Sequence, residues 1–223
     1  MSASNRSGSL QGARTALAVL LVVGVAACAS MSNETKGAAI GGAAGGVAGG
    51  VIGHQAGSTT LGAIIGAVVG GTAGAVIGHQ MDQQAKELQQ NIPGATVARV
   101  GEGITVTFAS GLLYGFDSSA VRPAAAINLS NLASSLGKYP NTNLLIVGYT
   151  DATGTSAYNQ TLSTERADAA RNYLEQQGVS SSRMQAVGRG ETEPLSTADT
   201  DAARQLNRRV EIAIFADKAA QTK

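Results

Sequence analysis

Apolar positions keep three different rhythms along this chain. Residues 16–25, Ala-Leu-Ala-Val-Leu-Leu-Val-Val-Gly-Val, form one unbroken apolar run. From Gly37 to Gln80 a glycine recurs at every fourth position among small and apolar residues, with no Asp, Glu, Lys or Arg. Beyond about Val97 the spacing becomes that of a water-soluble domain, with strand-like and helix-like patterns in turn.

The last region is the richest in predicted elements. Residues 97–103 followed by Ile104-Thr-Val-Thr-Phe108 predict a β-hairpin whose second run alternates with period two. Leu112-Leu-Tyr114 reads as a further short strand leading into Gly115-Phe116-Asp117. Pro123 is a helix start, and Ile127, Leu129, Leu132 and Leu136 carry a helix that stops between Gly137 and Pro140. Leu144-Leu-Ile-Val-Gly148 is continuously apolar, as in a strand covered on both faces. Thr155 or Ser156 caps the next helix, which runs to about Gln177 and ends at Gly178. Met184–Gly188 is a short strand, residues 189–205 a polar loop around Pro194, and Val210–Phe215 the final strand. The order β-α-β-α-β-β predicts an α/β (α+β) domain with helices on one face of a mixed sheet.

The glycine-rich region is a duplication. Gly37, Gly41, Gly45, Gly49 and Gly53 form one series and Gly62, Gly66, Gly70, Gly74 and Gly78 another, each matched residue lying 25 positions after its counterpart. Both copies close on Val-Ile-Gly-His-Gln, at residues 51–55 and 76–80. On a helix a period of four draws one nearly straight stripe of small residues. In water each interior glycine costs about 0.8–1.0 kcal/mol relative to alanine, whereas in lipid such stripes let helices approach closely. We expect a helical hairpin over residues 37–80 with its turn at Ala56–Thr60, inserted in a bilayer or packed against further copies as a homo-oligomer; a flexible Gly/Ala linker is the plain alternative. Residues 81–96 then read as a polar helix with Met81, Ala85 and Leu88 at helical spacing, continuing into water until Asn91-Ile-Pro-Gly94 breaks it.

The N-terminus carries an address. Arg6 and Arg14 are the only charges before Cys28, and the apolar run between is too short for a bilayer, which needs roughly 20 residues. A basic start, a short apolar run and a small-residue exit at Ala26-Ala27 describe a signal peptide over 1–27. Val25-Ala-Ala-Cys28 resembles the bacterial lipobox, which implies a lipidated Cys28 and a short linker to residue 36. Ala29 and Ser30, with no Asp behind the cysteine, imply the outer membrane in that sorting scheme.

Composition removes several function classes. The net charge is +1 and aromatic residues make up 4%, so no basic, aromatic-studded surface for nucleic acid is expected. Cys28 is the one cysteine, and both histidines, His54 and His79, lie in the glycine copies. That leaves poor material for a metal site, a thiol nucleophile or a Ser-His-Asp triad, and no catalytic residues, metal or cofactor are expected.

Candidate binding chemistry sits at the junction from Gly148 to Arg166. On a helical wheel Asn159, Leu162, Arg166, Ala169 or Ala170, Tyr173 and Leu174 share one side, apolar apart from Asn159 and Arg166. A half-buried guanidinium cannot lose its proton and needs an anion, for which its planar fork suits a carboxylate. That anion is either internal, Asp117 or Glu211, or belongs to a ligand; spacing leaves both open. Asp151 taken alone carries little, because an Asp in a strand-to-helix turn is usually a turn former rather than a carboxylate for a cation.

Motifs give a sharper expectation. Gly148-Tyr-Thr-Asp151, Gly154, Tyr158-Asn-Gln160, Leu162-Ser163, Glu165-Arg-Ala167, Tyr173-Leu174, Gly188, Gly190 and Asn207-Arg-Arg-Val-Glu211 together resemble the OmpA C-terminal-like domain. With the lipobox and glycine copies in front, the arrangement resembles YiaD-type outer-membrane lipoproteins. The resemblance implies a peptidoglycan-binding domain over 97–217, with 218–223 as a tail, that holds the diaminopimelate of the stem peptide. It implies that Asp151 takes the ligand's ammonium and Arg166 a carboxylate. Phe116 and Asp117 match a Phe-Asp motif at the pocket wall, and Asn159 and Leu162 its floor. Arg208 and Arg209 match the C-terminal motif, one facing the site and one structural. The implied protein is an outer-membrane lipoprotein, lipid-anchored on the periplasmic side, tethering membrane to wall. An alternative is an oligomeric membrane channel in which this domain serves only as a wall anchor.

Overall fold

A computed structural model describes residues 75–101 and 103–217. The signal peptide, Cys28, the tail and all of the glycine hairpin before Ala75 lie outside the described residues. Helix α1 (Ala75–Asn91) is followed by the hairpin β1 (Ala95–Val100) and β2 (Gly103–Ala109), then by α2 (Ser110–Leu113) and α3 (Pro123–Lys138). Strand β3 (Thr142–Gly148), α4 (Ser156–Gln176), β4 (Met184–Gly188), α5 (Asp201–Asn207) and β5 (Arg209–Ala216) complete the chain. The strands form one mixed sheet in the order β1-β2-β5-β3-β4, antiparallel throughout except for β3 against β4.

Period two decides what each strand buries. Ile104, Val106 and Phe108 of β2, Leu144 and Ile146 of β3, and Val210, Ile212 and Ile214 of β5 enter the main core with Leu129, Leu132 and Leu136 of α3 and Leu174 of α4. The intervening residues Leu145, Val147, Tyr149 and Ala213 form a second, smaller cluster. This explains why β3 is apolar at every position from Leu144 to Val147. Capping places α4: Thr155 accepts the Tyr158 backbone N–H, as its sequence position predicts.

Two glycines let α4 lie directly on the sheet. A Cβ at Gly148 would come within 2.1 Å of the Ser163 carbonyl oxygen, and one at Gly188 within 2.2 Å of Thr164 Oγ1. Only residues without a Cβ permit that approach, and it brings the first turns of α4 against the ends of β3 and β4.

The structure differs from the sequence pattern in three places. Leu112 and Leu113 belong to the helical turn α2 rather than a strand, and Tyr114 makes an isolated bridge to Val121. The polar loop after β4 contains a helix, α5, whose N-cap Thr200 accepts the Ala203 backbone N–H. The polar helix is not free in water. Helix α1 runs unbroken from the end of the second glycine copy and buries Met81, Ala85, Leu88 and Ile92 in the main core against β1 and α3. Its polar appearance misleads because the apolar stripe is only one residue wide per turn. Among the described residues no helix is long and apolar enough to cross a membrane.

Candidate ligand-binding site

The ends of β3 and β4 and the first turns of α4 bring the predicted polar residues together. Asp151 follows β3 in a turn fixed from both sides. Thr150 donates its backbone N–H to the Gly190 carbonyl at 2.8 Å, and the Ser163 hydroxyl accepts the Gly190 N–H at 2.9 Å. Gly190 has φ +53°, the left-handed region that glycine adopts without strain. The turn leaves Asp151 6% exposed. Its Oδ1 accepts the Thr153 N–H at 2.9 Å, and its Oδ2 accepts from Arg208 Nη1. Burial pushes the Asp151 carboxyl up, but the Thr153 backbone bond and the Arg208 bond outweigh it and hold the group below its ordinary value of 3.8.

Arg166 emerges from α4, 4% exposed. Its Nε donates to the Ser118 carbonyl at 3.0 Å, and its guanidinium lies 5.6 Å from the centroid of the buried Tyr114 ring, whose hydroxyl donates to the Arg166 carbonyl. Among the described residues Arg166 has no carboxylate within ion-pair distance. The two internal partners open to it are otherwise engaged: Glu211 accepts from Arg209 at 2.7 Å, and Asp117 accepts the Tyr158 hydroxyl. Burial pushes the Arg166 guanidinium below its ordinary value, partly countered by Tyr114 and Tyr158 and reinforced by the neighbouring charge of Arg208. Arg208 is thus paired with Asp151 and close enough to Arg166 to repel it. A carboxylate arriving here would relieve that repulsion.

The remaining predicted residues surround this pair. Asn159 is buried on α4 and donates to Glu191, which also accepts from Ser156 at 2.6 Å. Those two bonds hold the Glu191 carboxyl below its ordinary value. Leu162 is half-buried on the same helix. Asp117 is the one non-glycine residue with positive φ among those described, at 52°, and the neighbouring Phe116 ring is 103% exposed. Phe116 is therefore a projecting lip rather than a packed wall. The twin arginines separate cleanly: Arg208 meets Asp151, whereas Arg209 is buried between Glu211 and the face of Tyr149, 3.8 Å from its centroid.

Tyr158 and Glu191 join this cluster without being among the predicted site residues, Tyr158 being part only of the motif that carries the resemblance. Tyr158 carried a signal, standing beside Asn159 in the first turn of a helix that follows a polar turn. Glu191 lay in an irregular loop, where only the fold shows what it faces. Among the described residues no group of His, Cys, Asp and Glu gathers as a metal site.

Comparison with known proteins agrees with this architecture. Residues 113–208 match the OmpA family model, and residues 10–82 match a YMGG-like Gly-zipper model. Outer membrane porin F of Pseudomonas fluorescens is 44% identical over 103 residues, 46% of this chain and 32% of the porin. The lipoprotein YiaD of Escherichia coli is 35% identical over 60% of this chain and 62% of its own length. The chain thus spans about a third of the porin and less than two thirds of YiaD. The peptidoglycan-associated lipoprotein of Brucella melitensis is 34% identical over 52% of this chain and 69% of that protein. A MotB-like crystal structure from Desulfovibrio vulgaris shares the fold with a TM-score of 0.58 at 24% identity, covering 64% of this chain and 94% of that one. Motif positions, strand order and these matches lead to one assignment: the chain belongs to the OmpA family, with a YMGG-like glycine zipper in front of the family domain.

Proposed function

We propose that this protein is an envelope lipoprotein that binds peptidoglycan noncovalently and tethers the outer membrane to the cell wall. Its ligand is the diaminopimelate of the stem peptide, a zwitterion at its free end. Asp151 takes the ammonium and Arg166 the carboxylate, with Arg208 sharing the anion. The observation that carries this reading is the buried Arg166 guanidinium, which has no acidic partner among the described residues and feels the charge of Arg208, the half-exposed partner of the buried Asp151. An ionised carboxylate offers about four lone-pair sites. The Thr153 N–H and Arg208 occupy two of the Asp151 sites, leaving capacity for an ammonium.

The name of the Brucella relative supports peptidoglycan as the polymer, and the lipobox supports acylation of Cys28 on the periplasmic side. No bond is broken in this reading; recognition rests on charge-assisted hydrogen bonds, worth about 1.5–3 kcal/mol each. The test is co-sedimentation of the detergent-solubilised full chain with purified sacculi. Asp151→Ala and Arg166→Ala each reduce the bound fraction at least ten-fold, with circular dichroism unchanged. Wild-type retention by both variants would overturn the assignment.

A further inference from the structure

At the opposite end of the sheet from Asp151 lies a hollow of about 340 Å³ that the binding site does not use. Gln80 and Gln83 line it from α1, and Tyr139, Pro140, Asn141 and Thr142 from the turn between α3 and β3. Asn141 stands just before β3 and Asp151 beyond its end, so seven strand residues at about 3.3 Å each hold the two places roughly 23 Å apart. Gln80 closes the second glycine copy, which puts the hollow where that copy enters the domain. Its volume is that of a small-molecule pocket.

One wall of the hollow is firmly fixed. Arg183 donates from Nε to the Thr142 carbonyl at 2.6 Å, and from Nη2 to the Tyr139 carbonyl at 3.0 Å and the Thr142 hydroxyl at 2.9 Å. The Asn141 carbonyl accepts the Asp217 N–H at 2.9 Å. The carbonyls of Tyr139, Asn141 and Thr142 are therefore all engaged, and a peptide laid along this wall has no open carbonyl to pair with. The side chains differ. Gln80 and Asn141 are exposed and Tyr139 is half-buried, and no hydrogen bond among the described residues engages the two carboxamides or the Tyr139 hydroxyl. Gln83 shares its amide nitrogen with His79 at 2.9 Å and keeps its amide oxygen open.

Charge narrows the ligand further. No carboxylate lines the hollow, and its one cation, Lys138, is bound to Glu87 at 2.8 Å. An ion entering would meet no unpaired counter-charge, and an apolar group would strip water from the carboxamides without replacing its hydrogen bonds. A carboxamide presents a donor and an acceptor side by side, and a hydroxyl is both at once. Neighbouring hydroxyls on one ring satisfy both ends of a carboxamide. We propose that this hollow binds a neutral sugar ring through Gln80, Gln83, Tyr139 and Asn141. The site is independent of the wall-peptide reading, since neither Asp151 nor Arg166 takes part.

The test is calorimetric titration of the full chain, solubilised in a detergent that carries no sugar. The probes are N-acetylglucosamine, which is neutral, glucosamine, glucose 6-phosphate and the peptide N-acetyl-trialanine amide. Wild type binds N-acetylglucosamine about five-fold or more tighter than the other three, the margin of roughly one neutral hydrogen bond. Gln80→Leu and Asn141→Leu, both at exposed positions, each weaken it about five-fold for the same reason and leave Tm unchanged. A charged sugar or the peptide binding as tightly as N-acetylglucosamine would overturn the assignment. So would no binding of the neutral sugar, or binding that survives both substitutions. Peptide-free glycan strands and micelles of a glucosyl diacylglycerol then compete for the bound sugar. Competition by the strands makes wall glycan the source, competition by the micelles makes it a membrane glycolipid, and competition by neither overturns the site.

Discussion

Arg208 and Arg209 are sequence neighbours, yet entry into a strand sends them to opposite sides. Arg209 is 1% exposed, bound to Glu211 and stacked on Tyr149, so removing it leaves a buried carboxylate without its cation. Arg209→Leu is expected to cost about 3–5 kcal/mol in urea unfolding. Arg208 has a 38% exposed side chain, and Arg208→Lys, which keeps the charge, costs less than about 1 kcal/mol while weakening sacculus binding. Reversal of that ranking would show that Arg208, not Arg209, is the structural one. The Arg209–Glu211 pair was legible in principle, since residues two apart on a strand share a face. The Arg166 environment was not, because Ser118, Tyr114 and Arg208 reach it only through tertiary contact. Asp151 adds a pH signature. Its folded pKa is depressed, so its contribution to stability is full above the ordinary value of 3.8 and is lost as pH falls through the lower folded value. The stability difference between wild type and Asp151→Asn is therefore constant from pH 7 to about 4 and shrinks below that. A difference that changes instead between pH 5 and 7 would mean another group is responsible.

Among elements, α1 departs most from its sequence appearance. Polar residues dominate it, so its pattern reads as a spacer, but Met81, Ala85, Leu88 and Ile92 are sealed under β1 and α3. Full burial of each of the three larger side chains contributes about 1.5–3 kcal/mol. The exposed ion pairs that flank it, Asp82–Arg99 and Glu87–Lys138, add little. A chain beginning at residue 97 is therefore expected to unfold at distinctly lower urea than one beginning at residue 75, and Leu88→Ala alone should cost about 2–5 kcal/mol. Equal midpoints for the two truncations would return α1 to the role of a spacer. The strands were legible because β3 and β5 are long apolar runs with period-two partners, and α4 because its cap and arginine stood out. Helix α5 was hidden for the opposite reason: seven residues with few apolar positions give too short a window for a 3.6-residue period. Segment 112–114 was misread because three apolar residues in a row fit a helical turn as well as a strand.

At the scale of the whole molecule, the continuity of α1 matters most. The second glycine copy passes without a break into a helix packed on the binding domain, so no flexible joint separates the two within Ala75–Asn91. In the proposed tether two weak attachments act together, each raising the effective concentration of the other, provided the segment before Ala75 spans the gap. The two ends should therefore fail separately. In cell fractionation Cys28→Ser is expected to move the protein from the membrane to the soluble periplasmic fraction, while the purified variant still sediments with sacculi. The Asp151→Ala, Arg166→Ala double variant should do the reverse, remaining with the membrane and losing the sacculus. If Cys28→Ser stays membrane-bound through carbonate extraction, the glycine hairpin rather than an acyl chain holds the protein in the bilayer. Adding Gly45→Leu and Gly70→Leu to Cys28→Ser then separates the cases, because bulky residues on the small-residue stripe disrupt close helix packing without creating a charge. Release by the added leucines would place the anchor in the paired helices.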